Sequence, residues 1–425
     1  MMSKRYWAAM AVAFWTVAAQ AASLSVTDVK IAQRYPWNGL VDITYTVNCD
    51  DPNKDVWVYP VGYDADKAQS VALMPQYLSG EGASNAVHAG TCRMTWDMAR
   101  QMGKNYNRAA FSVTLHAYCN AAPYMVIDLS AGSNAETYPV SYLAEIPEGG
   151  WNDEYKTTKM VFRLIPPGTF MMGSPTNEVG RRIYDFWNDS MRRYYYAGGA
   201  EALHRVTLTR PFYCTIFELT NQQYYLLQGG DTVDEGRKPK DRISFVELRG
   251  STLGTHWPDH QQVDANSIVG KLRLKTGITI DLPTEAQWEY ACRGGCEYAS
   301  PTEITSYGSA SFKDVGTKRA NSFGIYDMLG NVCEWCLDGY VEDLGFADRV
   351  DPVGSNSSRH VVRGGCARGR SVNYSTSDYF IYSESACRPA SRLMAIGYET
   401  SYKYITQEIK QEGFGCRLVA LPMCK

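Results

Sequence analysis

Hydrophobic and polar residues alternate with a period of two in the first third of the chain. Val41, Ile43, Tyr45 and Val47 are interleaved with Asp42, Thr44 and Thr46, and Phe111, Val113 and Leu115 with Ser112, Thr114 and His116. Such alternation marks strands with one face in a core and the other in water. Short runs of this kind, separated by turn residues, predict an all-β, immunoglobulin-like sandwich over residues 22–143. Cys49 continues the inward parity of the first strand and Cys119 that of the second, so the two could meet across the sheets as a disulfide. Two buried thiols are an equal alternative, because Cys92 is a third candidate and spacing does not set connectivity.

The period then lapses. Residues 144–159, AEIPEGGWNDEYKTTK, are rich in Gly, Pro and charge, and are expected to form a linker. A second domain follows over residues 160–422, with many aromatics, glycines and arginines and few long helical patterns. Its clearest helix starts after Leu282 and Pro283: Thr284 can cap it, Gln287 lies three residues on, Trp288 and Ala291 share a face, and Gly294-Gly295 stops it.

Length allows two or three domains, each with its own core. A net charge of −3 with 20% charged residues gives no reason to expect nucleic acid or an anionic membrane as partner. Residues 1–21 read as an export signal: Lys4 and Arg5, then the apolar run YWAAMAVAFWTVAA, then Ala19-Gln20-Ala21 as a cleavage site. The run is shorter than the roughly 20 residues of a membrane span, and no other segment is apolar enough to cross. The mature chain is therefore expected outside the cytoplasm, in the periplasm, at the cell surface or beyond it, where its twelve cysteines can form disulfides.

Six stretches of the second domain occur in one order: IPPGTFMMGS (Ile165 to Ser174), HRVTLTRPFYCTIFELTNQQYY (His204 to Tyr225), LPTEAQWEYACRGG (Leu282 to Gly295), NSFGIYDMLGNVCEWCLD (Asn321 to Asp338), VVRGG (Val361 to Gly365) and GFGCRLV (Gly413 to Val419). Together they resemble the formylglycine-generating enzyme, or sulfatase-modifying factor, family over about residues 160–422. The resemblance implies an irregular fold related to C-type lectins, with a small antiparallel sheet, few helices and calcium-stabilised loops. With the sandwich before it, the chain as a whole is expected to be α+β.

The resemblance also assigns sites. Asp327, Gly330, Val332 and Glu334 fall where related proteins hold a structural calcium ion, through two side-chain oxygens and two carbonyls, the oxygen set a hard cation takes. The plainer reading is a carboxylate pair making turn hydrogen bonds. A second calcium loop looks deleted between CRGGCEYAS and GTKRANSFG. Cys292 and Cys387 resemble a family disulfide, with two separate buried thiols as the rival. Cys333 stands where the family has a buried Trp, and alternation on a strand puts Cys333 and Cys336 on opposite faces, which suits neither a redox dithiol nor half a zinc site.

Active family members oxidise a substrate cysteine to formylglycine with dioxygen and a copper(I) ion held by two soft thiolates. Those two cysteines follow Arg-Gly-Gly in the pattern Ser, two residues, Cys, four residues, Cys. This chain reads RGGCARGRSVNY: Cys366 holds the serine position, while Gly369 and Tyr374 hold the cysteine positions. Neither can bind copper, so copper is not expected and Cys366 is the only catalytic candidate. The functional expectation is a peptide- or glycan-binding or scaffold module that uses loops rich in Tyr and Arg, such as RRIYDFWNDSMRRYYY (Arg181 to Tyr196). The alternative is an active copper-dependent oxidase with Cys366 and a distant thiol as ligands.

Overall fold

The computed structural model describes residues 24–35, 38–64, 69–73, 77–83, 85–103, 111–119, 122–179, 181, 201–230, 232–250, 263–294, 311–341, 343–354, 359–367, 387–396, 398–401, 405–408, 410 and 412–422. The expected export signal, Gly369, Tyr374 and most of the Tyr- and Arg-rich loops lie outside these residues.

The first unit is built from β1 (Leu24–Gln33), β2 (Leu40–Cys49), β3 (Val56–Asp64), β4 (Gln69–Ala72), β5 (Leu78–Gly80), β6 (Gly90–Asp97) and β7 (Phe111–Cys119), with one helical turn, α1 (Met98–Met102). They pair antiparallel in two sheets, in the orders β1-β2-β6-β5 and β4-β3-β7. Both sheets feed one core: Ile43, Tyr45, Met94 and Trp96 come from the first, and Val56, Val58, Leu115 and Cys119 from the second. The alternation expected in β2 is present, with Val41, Ile43, Tyr45 and Val47 all buried.

The boundary between units differs from the expected one. β8 (Tyr124–Asp128) and β9 (Val140–Leu143) belong to the next sheet, where β8 pairs with β9 on one side and β10 (Lys159–Ile165) on the other. The physical reason is local: Tyr124 to Ile127 are all buried, with Met125 and Ile127 in one apolar cluster and Tyr124 and Val126 in another. A strand covered on both faces belongs inside a sheet. Residues 144–159 correspondingly do more than connect. They carry α2 (Glu154–Thr157), and Trp151 packs edge-on against both Tyr124 and Tyr155, at 5.0 and 5.1 Å.

Then come β11 (Gly168–Met172), β12 (His204–Leu208), β13 (Phe212–Thr215), α3 (Asn221–Gln228), α4 (Phe245–Arg249), α5 (Ile268–Thr276), β14 (Ile280–Asp281) and α6 (Glu285–Arg293). They are followed by β15 (Cys333–Gly339), β16 (Arg349–Val350), β17 (Arg359–Arg363), β18 (Leu393–Ile396), β19 (Tyr398–Ser401), β20 (Ile405–Glu408), β21 (Phe414–Gly415) and β22 (Val419–Ala420). The main sheet is antiparallel, ordered β14-β22-β13-β10-β8-β9, and a second has the order β18-β17-β15-β21. The expected helix is α6: Thr284 Oγ1 accepts from Gln287 N at 3.1 Å, Gln287 Oε1 accepts from Thr284 N at 2.9 Å, and Gly294 closes the end in a left-handed conformation. Every residue of α6 is buried, its charged Glu285, Glu289 and Arg293 included.

β15 is the centre of the unit and is buried along its whole length. Cys333, Trp335 and Leu337 enter one apolar cluster and Cys336 the other, the opposite-face arrangement that strand geometry requires. The ten described cysteines are present as thiols. Cys49 and Cys119 end β2 and β7 in opposite sheets around one core, and Cys292 and Cys387 share one buried cluster.

Candidate functional site

The residues expected to form a site lie where three segments meet: the turn before β15, the residues after β17, and the approach to β21. Gly330 N donates to Gly364 O at 2.7 Å, Ala367 N to Asn331 O at 2.9 Å, and Cys333 N to Gly413 O at 2.7 Å. The turn needs two successive left-handed residues, Gly330 at φ 96° and Asn331 at φ 57°. Glycine takes this conformation without steric cost, and asparagine is among the few side chains that tolerate it. Asn331 then serves as a brace, its Nδ2 donating to Glu218 Oε2 at 2.7 Å and its Oδ1 accepting from Lys313 N at 3.1 Å.

Three buried carboxylates gather behind this turn. Glu334 is held by Arg417, through Nε at 2.6 Å and Nη2 at 2.7 Å, and also accepts from Trp288 Nε1 at 2.6 Å. Glu218 accepts from Asn331 and from Val332 N at 3.1 Å. Asp327 accepts from Gly316 N at 2.6 Å through Oδ2, while its Oδ1, although buried, has no hydrogen-bond partner. Burial, reinforced by the neighbouring Asp327 and Glu334 carboxylates, pushes Glu218 well above the usual carboxylate range. Burial raises Asp327 to about 6, against the pull of the Gly316 amide.

This geometry bears unevenly on the four calcium candidates. The unpartnered Oδ1 of Asp327 suits a cation. Both Glu334 oxygens accept hydrogen bonds, from Arg417 and Trp288, and keep lone-pair capacity beyond them. Among the described residues no three His, Cys, Asp or Glu side chains converge as a metal cluster. Glu334 is one half of a buried ion pair with Arg417. Glu218 and Arg417 complete the arrangement and escaped the sequence reading. Their signal is a charged residue inside an apolar run, in FELT and CRLV.

Cys366 is fully buried in the same apolar cluster as Cys333. Its sulfur lies against Gly413, where an added Cβ would collide with it. A second buried network ties the residues around Cys387 to α6. Arg363 donates to Pro389 O at 2.6 Å, Ser391 O at 3.0 Å and Glu289 Oε2 at 2.7 Å, and Glu285 pairs with both Arg363 and Arg392.

Comparison with known proteins places this architecture. The sulfatase-modifying factor enzyme 1-like domain, FGE-sulfatase, matches residues 151–400, more than half of the chain, and the chain belongs to that family. It is 35% identical over 259 residues to the formylglycine-generating enzyme of Streptomyces coelicolor, covering 47% of this chain and 76% of that protein. It is also 38% identical over 181 residues to the serine/threonine-protein kinase pkn1 of Chlamydia caviae, covering 39% of this chain but spanning only 29% of the kinase. Among solved structures, PvdO from Pseudomonas aeruginosa aligns with a TM-score of 0.43 and 19% identity, over 61% of this chain and 94% of that one. No helix among the described residues is long and apolar enough to cross a membrane.

Proposed function

We propose that this chain is an exported member of the family that has lost copper oxidase chemistry and serves as a recognition or scaffold module for a peptide or glycan. The observation that carries the reading is the sequence RGGCARGRSVNY, in which Gly369 and Tyr374 stand at the two positions where the resemblance puts copper cysteines. A hydrogen or a phenol cannot replace a soft thiolate. The burial of Cys366, the one thiol in that motif, supports it, since a substrate cysteine would need open access to a metal bound there. The basic and apolar start of the chain supports export. The sheet orders β1-β2-β6-β5 and β4-β3-β7 support an immunoglobulin-like first unit.

Copper(I) titrated into the reduced mature protein tests the proposal. The expected result is no stoichiometric binding, with the native chain and Cys366→Ser behaving alike. Tight one-to-one binding that Cys366→Ser abolishes would support the active-oxidase alternative and send the chain to formylglycine assays on sulfatase-like peptides.

Calcium belongs to the same proposal as a structural ion near the turn, with the side chains of Asp327 and Glu334 and the carbonyls of Gly330 and Val332 as its protein oxygens. The unpartnered Asp327 Oδ1 supports this. An ion that binds only the folded chain stabilises it by mass action, by about 2.7 kcal/mol at a hundredfold excess over Kd. Thermal unfolding in excess calcium against chelator should shift upward for the native chain and stay unchanged for Asp327→Ala. Identical midpoints with and without calcium for the native chain would remove calcium from the account.

A further inference from the structure

Two thiols from distant parts of the sequence lie in one cramped apolar corner. Cys333 opens β15, donating its amide to Gly413 O at 2.7 Å, and Cys366 rests its sulfur on that same Gly413. Their segments are pinned together on either side, by Gly330 N to Gly364 O and by Ala367 N to Asn331 O. The Gly365 amide, next to Cys366 in the chain, lies close enough to the Cys333 sulfur to lower its thiol against the rise that burial imposes. Both residues are completely buried in the same apolar cluster, whereas Cys387, Cys292 and Cys336 pack in the other.

We propose that Cys333 and Cys366 are joined as a disulfide in the oxidised protein. The link would cross-brace the start of β15 to the end of β17 and take the only thiol of the RGG segment out of metal chemistry. Burial, with the Cys366 and Cys387 thiols close by, pushes the Cys333 thiol well above its ordinary range, which disfavours the thiolate that a soft metal ion needs. The bond therefore forms while the chain is folding and the corner is open to reagents. One thiolate attacks a small-molecule disulfide, displacing one small thiol and leaving a mixed disulfide. The second protein thiolate then attacks that protein sulfur and expels the other small thiol. Two protein thiols are oxidised, one small disulfide is reduced to two thiols, and the two protons end on those products. Cys292 and Cys387 remain together in the other cluster, so the link is compatible with the pairing the family resemblance implies for them.

The test is peptide mapping of the full mature chain refolded in a mixture of oxidised and reduced glutathione, alkylated without reduction, and cut with trypsin and a glutamyl endopeptidase. Trypsin isolates Cys366 in residues 364–368 and Cys387 in residues 371–392, and cleavage after Glu334 separates Cys333 from Cys336. The expected result is residues 364–368 linked to residues 320–334 as the dominant form of Cys366, lost when reductant precedes alkylation. Cys366 recovered mainly as its alkylated form, or linked to Cys336 or Cys387, would overturn the proposal. Because refolding supplies the oxidant, the outcome does not depend on where the chain resides or on whether it binds copper.

Discussion

Replacing Arg417 with Met is expected to destabilise the second unit by about 3–5 kcal/mol, the range for breaking a buried ion pair from one side. Arg417 is fully buried, holds Glu334 in a two-pronged contact, and donates to the main-chain oxygens of Thr215 and Tyr326, both at 3.0 Å. Its removal leaves Glu218, Asp327 and Glu334 facing one another without the guanidinium that lies among them, and strands two carbonyls. The double variant Arg417→Met, Glu334→Gln should recover at least half of the loss, because the amide keeps an acceptor for Trp288 while deleting the uncompensated charge. The penalty for Arg417→Met alone should also shrink as pH is lowered toward 4. Arg417 pulls both Glu218 and Asp327 down, so its removal raises them further, and the variant's folded state takes up protons ahead of the native one as pH falls. Urea unfolding followed by tryptophan fluorescence reads all three effects. A loss below 1 kcal/mol for the single variant would show that Arg417 does not neutralise this cluster.

The second large effect is a pH dependence set by His360. Its ring is fully buried, stacked on Phe245 at 3.6 Å and edge-on to Trp335 at 6.2 Å. Neither ring nitrogen makes a well-formed hydrogen bond. Burial, helped by the nearby Arg249 guanidinium and weakly opposed by the Asp338 main chain, pushes it down to about 3. A base held neutral in the fold gives stability that is complete above its unfolded value near 6.5 and is lost as pH falls toward 3, because the unfolded chain binds the proton first. Between pH 7.5 and 4.5 the loss should be about 2–3 kcal/mol. Asp338, raised to about 7 chiefly by burial, and Asp327 act in the opposite direction over the same range. The native profile is therefore a difference of terms, and His360→Leu isolates one of them. The variant should gain about 2–3 kcal/mol on the native chain in going from pH 7.5 to 4.5. A stability difference that stays constant with pH would mean that the imidazole is protonated alike in folded and unfolded chains.

The local features of the fold were legible because neighbours in sequence carry them. The alternation of Val41, Ile43, Tyr45 and Val47 with polar residues needs only the period of a strand, and it predicts the buried face of β2. Thr284, Gln287 and Gly294 specify both ends of α6 from within twelve residues. The same holds for Cys333 and Cys336, whose spacing by itself separates them onto two faces of β15. Tyr124 to Asp128 was the misread segment. An unbroken apolar run has no period to interpret, and only the pairing of β8 with β9 and β10 shows that it is an interior strand of the second unit.

By itself, then, the sequence determined the strand faces, the capped helix and the family through six ordered motifs. Only the tertiary structure decided who neutralises Glu334, which oxygen of Asp327 is left without a donor, and which thiols share a corner. Glu334 and Arg417 are 83 residues apart, Asn331 and Glu218 113. Contacts over such separations leave no periodic trace in the chain, and burial, which raises Glu218 and Asp327, is a property of the packed core rather than of any one segment.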